Sequence, residues 1–391
     1  MEFVTGKPQL IKKINKNIIF KLIMRNETIS RSKIAASTAL AMPTVMRIVQ
    51  ELLDEGLVIE IGSGDSSGGR KPSMLSLKPN AFYFIGLELT SEIKGVVANL
   101  KGDIIAKSSA VSDFDGGPEA IFKQINNIIT IFQNLPEIVN SRIAGVGIGI
   151  PGTNFRTSSE IENSIFKGWE SLELEKMIKK DLPFPVIFDN ISKTKTLGEL
   201  WFGNAKKYKN FIYIFAENGI GSGIVINGDL LYGNNNDTGE FGHTVINYNG
   251  PECYCGNKGC LEMYSSLPAI ITKISNSLNI DRKKIDLEFM KSEINRKNDI
   301  VINIIKEAGR LLGVGIANYI NLFDPQVVVL GGGLNTEIPI YFEEAKNGIV
   351  SHVFYRSFTD EQIVPASMNT QYNCLGAVSI IVNEMFKSIQ L

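Results

Sequence analysis

The chain has 391 residues, 44% apolar and 21% charged, ordinary globular proportions that exclude a disordered, fibrous or collagen-like polypeptide and suggest two or three domains. Four cysteines are too few for a disulfide scaffold, and no stretch nears the roughly 18 uninterrupted apolar residues of a membrane span. Lys7, Lys12, Lys13, Lys16 and Lys21 are scattered through the N-terminus where a signal peptide would need an apolar core, so a reducing cytoplasm is expected.

The formal net charge of -1 hides an uneven distribution. Residues 1–79 hold twelve Lys+Arg against seven Asp+Glu, a balance of +5, and the remainder carries -6. A small basic segment on a larger acidic body suggests that the segment meets a polyanion.

That segment reads as a winged helix-turn-helix. Leu10, Ile14, Ile18, Ile19, Leu22 and Ile23 recur at helical spacing over Gln9–Met24. Thr28 and Ser30 offer caps for a second helix, Arg31–Thr38, with Ile34 and Ala35 inward. Ala39–Met42 make a turn, and Pro43 suits the first turn of a third helix, since its missing N–H is unneeded there. Val45, Ile48, Val49, Leu52 and Leu53 form that helix's apolar stripe, and Gly56 ends it. One feature is atypical: Ala41 and Met42 stand where Ser or Asp would be expected to cap. Strands Leu57–Ile61 and Ser73–Leu77 flank a Gly/Ser loop ending in Arg70-Lys71, the composition of a wing on a phosphate backbone. A short helix pair with a tight turn puts its second helix into the major groove. The candidate DNA contacts are Arg31, Ser32, Thr44, Arg47, Gln50, Arg70 and Lys71.

Beyond residue 80 the chain alternates strands and helices. Strands are expected at Phe82–Leu87, Gly95–Leu100, Ile104–Ala110, Ile143–Ile150, Pro185–Phe188, Phe211–Phe215 and Val327–Leu330. Helices are expected at Ala120–Leu135, Leu172–Lys180, from Asn190 through Phe202, and near Pro268–Leu278, Leu287–Ser292 and Ile300–Phe323. Glycines at strand ends, with this alternation, indicate an α/β body of doubly wound character and a site at the strand C-termini. The expected division is 1–79, 80–204 and 205–391, with the C-terminal helix able to return to the first lobe.

Cys253, Cys255 and Cys260 lie within eight residues, and His243, one of only two histidines, precedes them by ten. Three thiolates and an imidazole satisfy tetrahedral Zn²⁺ at a closed site. Gly256 and Gly259 allow the tight knuckle this needs. Glu240 and Glu262 flank the cluster and could accept hydrogen bonds from hydroxyls. Cys374 stands apart and is expected to be a small core residue.

Gly239-Glu-Phe-Gly-His243 followed by Cys253-x-Cys255-Gly-x-x-Gly-Cys260-Leu-Glu262 resembles the signature of the ROK family of repressors, open reading frames and sugar kinases. Gly219–Gly223, Asn321–Gly333 and the wing's Ser67-Gly-Gly-Arg70 resemble it too, so the likeness spans essentially the whole chain. It implies a two-lobed actin/hexokinase-like (ribonuclease H-like) body with sugar bound between the lobes. It further implies zinc on His243, Cys253, Cys255 and Cys260, and sugar hydroxyls on Glu240, His243 and Glu262. Asn190 matches the family's Asn, with Asp189 and Gly152 as further candidate sugar contacts.

Two departures separate this chain from the family's kinases. Their Asp-x-Gly-Gly-Thr turn corresponds to Glu88-Leu-Thr-Ser-Glu92, without the glycines that let a backbone approach phosphates and with an added negative charge. An ungapped count from Gly198-Glu199 puts Ile191 at the general-base Asp, and isoleucine cannot take a proton. The remaining glycines, Gly219–Gly223 and Gly331–Gly333, then read as tight turns. The expectation is a non-catalytic, sugar-responsive repressor, acting on double-stranded operator DNA as a homodimer or dimer of dimers. The alternative is an ATP-dependent sugar kinase with a DNA-binding appendage.

Overall fold

The computed structural model describes residues 8–63, 73–139, 142–152, 171–354, 358–367 and 374–387. At the N-terminus stand α1 (Pro8–Arg25), β1 (Ile29–Ser30), α2 (Arg31–Thr38), α3 (Met42–Asp54), β2 (Val58–Ser63) and β3 (Ser73–Leu77). Ser30 caps α2, its hydroxyl accepting from the Lys33 amide at 3.2 Å. Ala39 turns the chain into α3 in the left-handed region at φ 56°. Val45, Ile48, Val49 and Leu52 are buried as expected, while Leu53 is only half-buried. β1 was not foreseen; it pairs Ile29 with Leu75 and makes the hairpin a three-stranded sheet of order β1-β3-β2. Two residues are too few to leave a period-2 signal.

The body begins with β4 (Tyr83–Leu89), β5 (Glu92–Asn99), β6 (Ile104–Val111), α4 (Gly117–Gln133), β7 (Ile143–Ile150), α5 (Ser171–Asp181), β8 (Val186–Asn190) and α6 (Ile191–Trp201). It continues through β9 (Phe211–Ala216), β10 (Ile220–Ile226), β11 (Asp229–Leu230), α7 (Glu262–Ser265), α8 (Leu267–Leu278), α9 (Leu287–Asn295) and α10 (Asp299–Phe323). Last come β12 (Val327–Gly331), α11 (Gly333–Glu337), α12 (Pro339–His352), β13 (Ile363–Pro365) and α13 (Leu375–Lys387). The first sheet has order β6-β5-β4-β7-β8 and the second β11-β10-β9-β12-β13. In each, the first three strands form an antiparallel meander and the last two are parallel additions. The doubly wound expectation is corrected accordingly. Strands joined by short turns, as β4 to β5 and β5 to β6 are, can only pair antiparallel, and only helix crossovers deliver parallel neighbours.

The two sheets are joined by α6. It is buried almost all round, with Lys193, Thr194, Lys195, Thr196 and Glu199 all inside. It crosses β10 so closely that a Cβ at Gly221 would sit 2.1 Å from the Ser192 hydroxyl and one at Gly223 would sit 2.0 Å from that of Thr196. These glycines serve close approach inside a strand, which corrects their reading as turns; Gly332, at φ +90°, is a true turn. α13 returns to the first lobe, where a Cβ on Gly147 would lie 1.9 Å from the Ala377 carbonyl. Glu199, at the end of α6, accepts from the Ser367 amide at 2.8 Å and the Asn204 amide at 2.9 Å. It thereby ties the strand-β13 end of the second lobe to the helix. Among the described residues no helix is long and apolar enough to cross a membrane.

Candidate functional site

The end of β8 assembles three of the expected sugar contacts. Asp189 is buried; one carboxylate oxygen accepts from the Asn190 amide at 2.8 Å and the other from the Tyr232 hydroxyl at 3.0 Å. Asn190 caps α6, accepting from the Ser192 amide at 2.7 Å, while its side-chain nitrogen donates to the Gly152 carbonyl. Gly152 takes φ +109°, a conformation that favours glycine. Ile191 is buried in the body core, so the carboxylate at the strand end belongs to Asp189.

One turn into α6, Lys193 is buried, donates to the Asn236 carbonyl and lies 5.4 Å from the centre of the Tyr232 ring. Burial lowers its pKa against the opposing pull of Asp189, Glu240 and Asp237. Lys193 and Tyr232 were not among the expected site residues. Lys193 stands four residues after Asp189 on a strand-to-helix turn, a spacing that could have pointed to it. Tyr232 carried no such signal, because 43 residues separate it from Asp189.

On the second lobe, Glu262 is buried and accepts from the Ile220 amide at 2.7 Å. A Cβ on Gly219 or Gly242 would approach this carboxylate to 3.0 Å. Glu240 is pushed up to about 7 by burial, with Asp237 and Glu262 adding to the shift and Lys193 opposing it. The Tyr254 hydroxyl lies 3.2 Å from Nε2 of His243 and also hydrogen-bonds Glu262. Thus Glu240, His243 and Glu262 stand together beside a tyrosine that sequence reasoning did not single out.

His243, Cys253, Cys255 and Cys260 form a cluster whose ligand atoms all lie within 4.8 Å of one another. Cys253 Sγ is 3.6 Å from His243 Nδ1, and Cys255 Sγ is 3.6 Å from Cys260 Sγ. With Zn–S near 2.3 Å and Zn–N near 2.0 Å, tetrahedral edges are about 3.5 to 3.8 Å. The donor set and its spacing therefore fit a metal ion of that size. Cys374, by contrast, is buried alone in the core that α13 shares with the first lobe.

The end of β4 is joined to α6 by a buried ion pair. The Lys195 ammonium lies 3.4 Å from the Glu88 carboxylate, both buried, and 4.0 Å from the centre of the Phe215 ring. Glu92 lies at the start of β5, 3.6 Å from Lys94 at the surface.

On the N-terminal unit, Thr44 and Arg47 lie on α3, half-buried and exposed respectively. The Arg31 guanidinium is held by Glu60 at 2.5 Å, Gln50 donates to Asp54 at 2.8 Å, and the Ser32 hydroxyl lies 2.9 Å from that of Ser30. Arg70 and Lys71 lie outside the described residues. This unit rests on the body through α1: Lys21 is 3.4 Å from Asp229, Arg25 donates to the Gly228 carbonyl at 3.5 Å, and both cations lie over the Trp201 ring. Desolvation at this contact lowers the pKa of both.

A model described as the ROK family matches residues 85–384. The chain is 31% identical to the xylose repressor of Bacillus subtilis strain 168 over 97% of its length and 98% of that protein's. It is 24% identical to the transcriptional dual regulator NagC of Escherichia coli K12, over 99% of this chain and 96% of that one. Among solved structures, a ROK family transcriptional regulator homologous to E. coli MLC superposes with a TM-score of 0.79 at 24% identity, covering 97% of this chain and 98% of that one. A ROK hexokinase from Thermus thermophilus superposes at 0.67 and 22% identity, covering 78% of this chain and 99% of that one. These likenesses show a two-lobed, hexokinase-like body.

Proposed function

The chain belongs to the ROK family, and from that premise we propose that it is a sugar-responsive transcriptional repressor whose N-terminal winged helix-turn-helix binds operator DNA. Residues 1–79 act as the reader; residues 80–204 and 205–391 are the lobes that hold the effector between them. The observation that carries the reading is the course of α6. Its first residues stand against Asn190 and Asp189 in the cleft, and its last, Trp201, lies under Lys21 and Arg25 of α1. A helix buried along its length moves as a rigid unit, so a ligand that shifts its start tilts the surface carrying the DNA reader.

The effector is a sugar or sugar derivative, contacted by Asn190, Glu240, His243 and Glu262, with Asp189 and Gly152 completing the floor. Glu240 and Glu262 accept from its hydroxyls, and Lys193 and Tyr232 hold Asp189 in place. Zn²⁺ on His243, Cys253, Cys255 and Cys260 supplies a structural clamp that fixes His243 and the knuckle beside Glu262. Arg31, Ser32, Thr44, Arg47, Gln50, Arg70 and Lys71 line the DNA side; Arg31 and Gln50 must first exchange their internal partners. A homodimer, or a dimer of dimers, in the cytoplasm presents two readers to a pseudo-palindromic operator.

The chain does not turn over ATP in this reading. A nucleotide would have to displace the Glu88–Lys195 pair, and Glu88-Leu-Thr-Ser-Glu92 lacks the glycines that admit phosphates. The test is a gel shift with a selected operator, run with and without sugars drawn from a thermal-shift screen. Sugar-dependent change in DNA affinity is expected. Steady ADP release with any sugar would replace the reading with that of a kinase.

A further inference from the structure

One flank of the face that α3 turns away from its own core is apolar. Val45, Ile48, Val49 and Leu52 point inward. Beside that stripe Met42 is 40% exposed and Met46 55% exposed, with Pro43 and Arg47 exposed further round the helix. Both methionines thus leave much of the side chain to solvent, although unbranched, polarizable Met usually fills core gaps. The hydrogen-bonding group nearest by position on the same face, Gln50, is turned onto Asp54. Arg47 feels the charge of Glu51, which Lys12 holds at 2.7 Å.

In the major groove, adenine and guanine edges and the cytosine amino group demand a hydrogen-bonding partner. A thioether side chain can supply no donor and only a weak acceptor. The one apolar feature a base presents there is the C5 methyl of thymine. We propose that Met42 and Met46 are sequence-determining residues of α3. They select thymine methyl groups, next to a guanine read by Arg47, so that the preferred half-site is thymine-rich beside a G·C pair. This rests on the operator-binding reading above and names which duplex that surface takes.

The experiment selects duplexes from a random library with the full-length protein and then replaces each thymine of the enriched site, one at a time, by deoxyuridine. Removing the methyl leaves Watson–Crick pairing and phosphates unchanged. At the thymines beside the guanine, binding is expected to weaken about three- to tenfold per methyl. Met46→Ala, expected to melt with the wild type because the side chain is exposed, should bring thymine and uracil within twofold of each other at one of the sensitive positions while the position read by Met42 keeps its penalty, with an unchanged salt slope. Equal binding of wild type to every uracil-substituted duplex overturns the proposal while leaving operator binding intact, as does a uracil penalty undiminished at every position in Met46→Ala. Failure to enrich any duplex overturns the operator-binding reading itself, and the proposal with it.

Discussion

The Tyr232 hydroxyl donates to the Asp189 carboxylate at 3.0 Å, joining the segment after β11 to the end of β8. The bond therefore links the two sheets of the body. Its removal leaves a buried carboxylate oxygen short of a donor, which costs about 1 to 3 kcal/mol. Tyr232→Phe is expected to lower the unfolding midpoint and to weaken the sugar response; chemical denaturation and effector titration measure the two effects separately.

The Glu88–Lys195 pair is buried, so removing one partner is worse than removing both. Glu88→Ala strands an ammonium and should destabilise by about 3–5 kcal/mol, while Glu88→Leu with Lys195→Met should recover most of the loss. Equal denaturation midpoints for the single and double variants would contradict this coupling.

Metal content gives a third expectation. One zinc per chain should co-purify, measured by inductively coupled plasma mass spectrometry. Cys260→Ser should lose it and melt earlier, because the knuckle is fastened otherwise by a few turns and two isolated bridges, Val245 to Cys260 and Glu252 to Lys258. Ordered strong chelation of the wild type should reproduce the variant's melting curve.

Lys193 sets a pH dependence. Its folded pKa lies below the ordinary 10.5 because it is buried. Between the folded and unfolded values, the unfolded chain binds the extra proton. This group's contribution to stability therefore rises with pH across that window and is least favourable below the folded pKa. Lys193→Met removes that slope, so thermal melts of variant and wild type should converge as pH is raised towards 10.

The contact of α1 with the body predicts a separation of functions. Trp201→Ala should leave basal operator affinity nearly unchanged, since the cations over its ring belong to α1 and not to α3, and should blunt the change that sugar produces. Paired titrations with and without effector test this; a fully retained sugar response would remove α6 from the coupling route.

Much of this was legible in the sequence, and the exceptions share a cause. The Cys-x-Cys-x4-Cys cluster with His243 is compact in sequence, and the structure brings its four ligand atoms together. The boundaries of α2, β3 and β7 match their apolar patterns and caps residue for residue. The α6 start was placed by Asn190, yet its burial was illegible: Lys193, Thr194, Lys195 and Thr196 are polar and lie inside. The two lysines find Asn236, Glu88 and Phe215, all distant in sequence, and no local period encodes such pairings. For the same reason Glu262 could be suspected of meeting a hydroxyl, while its bond to the Ile220 amide 42 residues away could not. On α3, spacing found Thr44 and Arg47, but the exposure of Met42 and Met46 emerged only when every candidate cover was seen to be elsewhere.

The return of α13 to the first sheet sets an order of events during synthesis. Gly86 and Gly147 lack side chains where the helix backbone lies against them; a Cβ on Gly86 would sit 2.3 Å from the Cys374 carbonyl. Strands β4 and β7 leave the ribosome more than 200 residues before the helix that covers them. The N-terminal unit can thus fold early, whereas the first lobe keeps an uncovered apolar face until Leu375–Lys387 has been made. A chain interrupted before α13 would carry a finished N-terminal unit on an unfinished first lobe, a ready substrate for proteolysis.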